Sequence, residues 1–222
     1  MNKKVIQQLP SFHWKLSFLL SLFIGLLVGM NLLGAKITSL FGISVSVGIF
    51  MVPLTFLITD VVEEVYGRIV TQKFLITGLT TLVVVMGFMF LFVALEPAER
   101  YVDSDPAYKL IFGQSIRMTF ASIVAFLLSQ MHDIWAFSFW KKKTKGKYLW
   151  LRNNLSTMVS QAIDTLLFMF IAFYHMTPKF TASFIITLAI PYYCFKIAFA
   201  AIDTPFVYMG VKWLRKGEKR IN

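Results

Sequence analysis

Cysteine, histidine and acidic residues are all scarce in this chain, numbering one, three and eleven among 222 residues. The lone Cys194 cannot close an internal disulfide, and inside an apolar stretch it reads as a small packing residue. His13, His132 and His175 lie in three separate places, and neither H-E-x-x-H nor G-x-S-x-G occurs, so no metal or serine hydrolase is indicated. No ATP-binding P-loop is present, which argues against ATP hydrolysis by this chain, and no cofactor-binding signature is found. Charge itself is thin. Only 15% of residues are charged, where a soluble domain carries about 25%.

What the chain has instead is apolar surface. It is 57% hydrophobic and 16% aromatic, with a mean hydropathy of +0.69. Several apolar runs approach the roughly 20 residues that span a hydrocarbon core. The expectation is an all-α integral membrane protein, a six-transmembrane-helix bundle with spans at about 14–33, 43–62, 74–95, 115–138, 154–175 and 181–204. Each span is expected to be helical because lipid offers no partner to an open backbone. Between them, EPAERYVDSDPAYK (96–109) holds two prolines and four acids and reads as a surface loop. KKKTKGK (141–147) reads as a solvated basic loop. No connector is long enough for a second domain, so residues 1–222 form a single transmembrane domain.

The basic residues orient the bundle. Sixteen of the 22 lysines and arginines fall in the two termini, the 2–3 loop and the 4–5 loop, against four in the other loops. By the positive-inside rule both termini are cytoplasmic, and the acidic 96–109 loop is outside. The net charge of +11 is therefore mainly a topology signal, and no nucleic-acid partner is expected. The basic tail can also touch anionic lipid. Lys3 and Lys4 before an apolar run mimic a signal peptide. However, the run is about 20 residues long and lacks a small-residue cleavage site, so it is expected to remain as the first span. Gly25 and Gly29 form GxxxG, a close-packing face that only weakly suggests a homodimer.

Two basic residues, Arg117 and Lys196, remain inside spans, with Asp60, Glu63, Glu64, Asp133, Asp164 and Asp203 in or at the edge of them. Such groups usually face a bundle interior or a water-filled cavity. Competing readings are interfacial placement for Glu63, Glu64 and Asp203, and snorkelling to the headgroups for Arg117. Asp164 has no such exit, standing about 16 Å above Asn153, near the midplane. A buried pair of Asp164 with Lys196 joining two helices is one reading, and a ligand site is the other. Spacing favours the ligand site. Gln161 with Asp164, and Gln130 with Asp133, are i,i+3 and share a helical face, as do Asp60, Glu63 and Glu64. Lys196 and Asp203 lie two turns apart on one side of span six. Pro53 and Pro191 are expected to loosen their helices and free carbonyls along a cavity.

The motifs PLTFLITDVVEEVYG (53–67), RMTFASIVAFLLSQMHD (117–133), STMVSQAIDTLLF (156–168) and YYCFKIAFAAIDTPFVY (192–208) resemble the queuosine precursor transporter family, also called the vitamin uptake transporter family. The similarity runs from about Met51 onward. The TD-x-x-x-E-x-YG and Q-x-x-D-T elements carry it together. The resemblance implies a six-span bacterial inner-membrane protein importing 7-deazaguanine bases (preQ0, preQ1 or queuine) for tRNA modification. It also implies a likeness to the substrate-binding subunits of energy-coupling-factor transporters, and it leaves a need for an energising ATPase module open.

A 7-deazaguanine presents two adjacent donors, a carbonyl acceptor and a flat ring. One carboxylate can accept from both donors, and a Gln amide or Lys ammonium can donate to the carbonyl. Asp164, Gln161, Lys196 and Arg117 are the expected polar contacts, with Tyr192, Tyr193 and Phe168 as stacking candidates. Asp60, Glu63, Glu64, Gln130, Asp133 and Asp203 are the expected gate or proton relay. Uptake of another small heterocyclic, vitamin-like solute is an alternative, and two other classes compete. An intramembrane enzyme lacks its motifs, and a scaffold with structural buried ion pairs would not retain a deazaguanine.

Overall fold

The computed structural model describes residues 14–144 and 149–216. The tail bearing Lys3, Lys4 and His13, the loop positions Lys145 and Lys147, and Lys219 and Arg220 lie outside the described residues. In chain order the elements are α1 (Trp14–Leu33), β1 (Ile37–Leu40), β2 (Ile43–Ser46), a 3-10 turn (Val47–Phe50), α2 (Val52–Tyr66), α3 (Arg68–Ala94), a second 3-10 turn (Glu99–Tyr101), α4 (Asp105–Lys143), α5 (Leu149–Phe173), α6 (Ala182–Ile202) and α7 (Thr204–Arg215). The protein is mostly helical. Among the described residues, five helices are long and apolar enough to cross a membrane: α1, α3, α4, α5 and α6. Their outward faces carry large apolar side chains such as Phe88, Phe90, Phe92 and Ile190. That is the pattern of a helix whose solvent is lipid.

The run expected as the second span, 43–62, is not one helix. Its first half pairs back on residues 37–40 as an antiparallel hairpin, with Leu40 opposite Ile43 and Ile37 opposite Ser46. The turn residues Phe41 and Gly42 both have positive φ, 51° and 80°, the conformation that matches a two-residue turn to strand twist. Val45 and Ser46 are buried while Ile43 is exposed. Burial thus rises along β2 from the exposed turn toward Ser46, and strand pairing takes the place of the helix that bulk hydropathy suggested. Ser46 secures the hairpin, its hydroxyl donating to the Gly34 carbonyl at 2.6 Å and accepting from the Gly48 amide at 3.2 Å. Pro53 sits in the first turn of α2, where a missing amide costs nothing. It starts a helix instead of loosening one, whereas Pro191 lies within α6.

Other boundaries shift as well. The expected 96–109 loop ends at Ser104, because α4 begins at Asp105 and Asp105 pairs with Lys109 at 2.7 Å. The expected basic loop begins later, since Lys141, Lys142 and Lys143 still belong to α4. The C-terminal segment after span six forms a separate amphipathic helix, α7. Gly67, at φ 79°, ends α2 and opens α3 without a linker, a backbone state that favours glycine.

Two cores hold these elements. One joins Val45, Ile49, Met118, Phe173, Ile185 and Tyr192 near the hairpin. The other joins Leu19, Phe23, Val61, Val62, Phe74, Val211 and Leu214 near α7. At the α7 end, Lys15 Nζ donates to the Trp213 carbonyl, and Arg215 reaches Glu64 at 3.9 Å. Of the GxxxG pair, Gly29 meets Met51, while Gly25 faces open space. Cys194 is exposed and does not fill the core.

Candidate functional site

A cavity of about 1200 Å³ runs between the two cores, walled by α1, the 3-10 turn after β2, and α2 to α6. A pre-formed ligand cavity commonly measures about 300–1,000 Å³, so this one is large enough for a small heterocycle and water. Its wall mixes aromatic faces (Phe56, Phe126, Phe168, Tyr192) with four acids and two bases: Asp60, Glu63, Asp133, Asp164, Arg68 and Lys196.

The best-defined cluster stands where α5 faces α6. Lys196 Nζ donates to Asp164 Oδ2 at 2.7 Å and reaches Gln161 Oε1 at 3.5 Å. Its ammonium lies 5.7 Å from the Tyr192 ring centroid, within cation–π range. The Lys196 side chain is 8% exposed and that of Asp164 23%. The i,i+3 spacing on α5 puts Gln161 and Asp164 on one face, and Tyr192 and Lys196 repeat the relation at i,i+4 on α6. Asp164 Oδ1 has no hydrogen bond among the described residues, leaving it free for a donor from a ligand in the cavity.

Lower down, α4 and α5 meet through polar side chains. His132 Nδ1 lies 2.9 Å from Ser160 Oγ, and Ser160 Oγ donates to Asp133 Oδ1 at 3.4 Å. Asp133, Gln130 and Ser160 line the cavity, and so do Asp60 and Glu63 across from them.

Four expected site residues lie elsewhere. Arg117 does not line the cavity. Its Nε donates to the Ile171 carbonyl at 2.6 Å, and Nη2 donates to the Tyr174 carbonyl. A guanidinium there caps the open carbonyls at the negative end of α5. Tyr193 points away from the cavity, with its hydroxyl donating to the Met158 carbonyl at 3.2 Å, because adjacent helical residues cannot share a face with Tyr192. Glu64 is exposed beside Arg215. Asp203 sits at the junction of α6 and α7, 4% exposed, in hydrogen-bonding contact with Asp60.

The sequence reading also missed contributors. Asn31 of α1 is 2% exposed. Its Nδ2 donates to the Leu27 carbonyl at 2.8 Å, and its Oδ1 accepts from Ser122 at 2.6 Å. Both residues line the cavity, as do Thr55, Thr59, Arg68 and Gln72. A solitary amide in an otherwise apolar first span was the available signal.

Comparison with known proteins adds an independent line. Residues 46–210 match the family described as "Putative vitamin uptake transporter". The chain is 33% identical over 190 residues to the "Probable queuosine precursor transporter" of Bacillus subtilis, covering 85% of this chain and 81% of that one. It is 27% identical over 194 residues to the "Queuosine precursor transporter" of Escherichia coli, covering 86% and 83%. No solved structure matches the chain.

Proposed function

This chain belongs to the vitamin uptake transporter family, and from that premise we propose that it is a membrane transporter, not an enzyme, carrying queuosine precursors. The observation that carries the reading is the Asp164–Lys196–Gln161 cluster inside a cavity with aromatic walls. A 7-deazaguanine ring lies against Tyr192 or Phe168, a ring N–H donates to Asp164 Oδ1, and Lys196 turns a second N–H toward the ring carbonyl. Charge-assisted bonds to a planar base select against solutes lacking that donor–acceptor edge.

The proposal includes six crossings in one transmembrane domain, of which the second is composite. The hairpin, the 3-10 turn and the 15 residues of α2 together traverse what a single helix would. Such irregular backbone is tolerated at depth where it lines a cavity. Both termini are cytoplasmic and the site is the bacterial inner membrane. The Lys15–Trp213 and Glu64–Arg215 contacts support this orientation, because they gather basic ends of α1 and α7 at one face. The arrangement is of the kind found in substrate-binding subunits of energy-coupling-factor transporters. Its partners are a small purine-like solute and the lipid bilayer.

The deciding experiment is uptake in a strain unable to make queuosine precursors. preQ0, preQ1 and queuine are supplied in turn, and tRNA queuosine is the readout. Restoration by this chain with at least one base is expected, and no restoration with any of them overturns the reading. One observation favours a second reading. Lys196 and Asp164 pair at 2.7 Å across two helices, the geometry that a purely structural tie between α5 and α6 would also have.

A further inference from the structure

We propose that His132, Ser160 and Asp133 form a proton relay, linking the substrate cavity to the membrane interface at the end of α4 and coupling solute movement to a proton. This rests on the substrate reading above and adds the coupling ion to it.

The three groups form an unbroken hydrogen-bonded chain across two helices, 2.9 Å from His132 Nδ1 to Ser160 Oγ and 3.4 Å from Ser160 Oγ to Asp133 Oδ1. Ser160 is 5% exposed, and a hydroxyl is a group that can accept a proton on one side while releasing one on the other. At one end of the chain, Asp133 lines the cavity. At the other, His132 does not line it, and its ring packs 5.8 Å from Trp135. Trp135 and Phe139 are 62% and 42% exposed, and Lys143 lies over Phe139 at 5.5 Å. Exposed aromatics beside lysines mark the headgroup level, so the histidine has access to interfacial water.

The charged surroundings leave the relay free to act. On α5, Asp164 is already held by Lys196 of α6. Across the cavity stand Asp60 and Glu63 of α2 and Arg68 of α3. Among the described residues no ion pair engages Asp133 or His132. Asp133 therefore faces the cavity without an ion-pair partner among the described residues, and imidazole is the side-chain type suited to carrying protons near neutral pH.

The step balances. A hydronium ion reaching the cavity from the acidic side protonates the Asp133 carboxylate and is left as water. Protonation of Asp133 frees the Ser160 hydroxyl from donating to that carboxylate, and the hydroxyl turns to His132 Nδ1. The Asp133 O–H then passes its proton to Ser160 Oγ as the serine passes its own to Nδ1, and His132 releases one proton from Nε2 to interfacial water. Each bond to hydrogen that breaks is matched by one formed on the next atom.

The test uses the full chain in liposomes enclosing a pH-sensitive dye, with radiolabelled preQ0 and preQ1 as probes. One arm measures label exchange at equal pH. The other measures accumulation and internal acidification when the outside is made acidic. Wild type is expected to exchange label, to accumulate it under the gradient and to acidify the lumen. His132→Asn keeps a polar amide, with an acceptor oxygen, toward Ser160 but cannot pass a proton on. It should exchange label normally while losing roughly 10-fold or more of the gradient-driven accumulation, and Ser160→Ala should lose the acidification. Full accumulation by His132→Asn shows a structural hydrogen bond only and overturns the relay. Exchange by wild type with no response to the gradient overturns the relay alone. Absence of exchange overturns the substrate reading and the relay with it.

Discussion

Lys196 Nζ of α6 lies 2.7 Å from Asp164 Oδ2 of α5, and the two side chains are 8% and 23% exposed. Taking two charges from water is costly, and an ion pair this far from bulk solvent repays the cost only with good geometry and further hydrogen bonds. Gln161 and the Tyr192 ring supply part of that to Lys196. Asp164 Oδ1 takes no hydrogen bond among the described residues, an asymmetry that a ligand site would use and a simple tie would not need.

Replacing Asp164 with Asn tests the asymmetry. The change keeps volume but turns an acceptor into a donor opposite a ligand donor. It should cost about 2–3 kcal/mol of binding, or roughly 30- to 150-fold in affinity. Detergent-extracted yield should change little. A structural tie predicts the reverse, with yield and Tm falling for Asp164→Asn and recovering when Lys196→Met is added. Uptake, yield and Tm measured on single and double variants decide the matter, and recovery of all three in the double variant would sink the site.

Arg117 gives the opposite pattern. Its guanidinium caps the Ile171 and Tyr174 carbonyls, so Arg117→Gln should lower stability by about 1–3 kcal/mol. Retention of labelled base by the protein that still folds should stay near wild type. A large loss of base affinity at unchanged Tm would return Arg117 to the cavity.

Gly210 on α7 packs against α2 so closely that a Cβ there would lie 2.5 Å from Val61 Cγ2. Gly210→Val should cost about 1–3 kcal/mol through overpacking. Adding Val61→Ala should restore much of the loss, because the two sites share one contact. Thermal melts of the single and double variants check it, and strict additivity would place α7 elsewhere.

Topology can be read with thiol chemistry after Cys194 is replaced by Ala. Cysteines at Phe41 and Asp103 should react with an impermeant reagent from outside intact cells, and one at Thr144 should not. Labelling of all three from the same side would remove the composite second crossing and the six-crossing orientation.

Much of this was legible along the chain because lipid simplifies the problem. Backbone groups must pair locally, so long apolar runs become helices, and α1, α3, α4, α5 and α6 each answer to such a run. Intramembrane charge is costly enough that its presence marks an interior, and helical spacing alone assigned Gln161 and Asp164 to one face. Hydropathy failed at 43–50. There it registered a greasy run, where the chain instead pairs residues 43–46 with 37–40 as strands.

What required the tertiary structure was the pairing of groups far apart in sequence. A side chain's face follows from its own helix, but its partner depends on which helix lies opposite and at what depth. Hence Arg117 finds the end of α5, Asn31 finds Ser122 across 91 positions, and Asp203 leaves the cavity for the α6–α7 junction. A one-dimensional pattern records the period of a helix and the cost of burying a charge. It carries no record of the neighbour that offsets that cost, because that neighbour is fixed only when the helices pack.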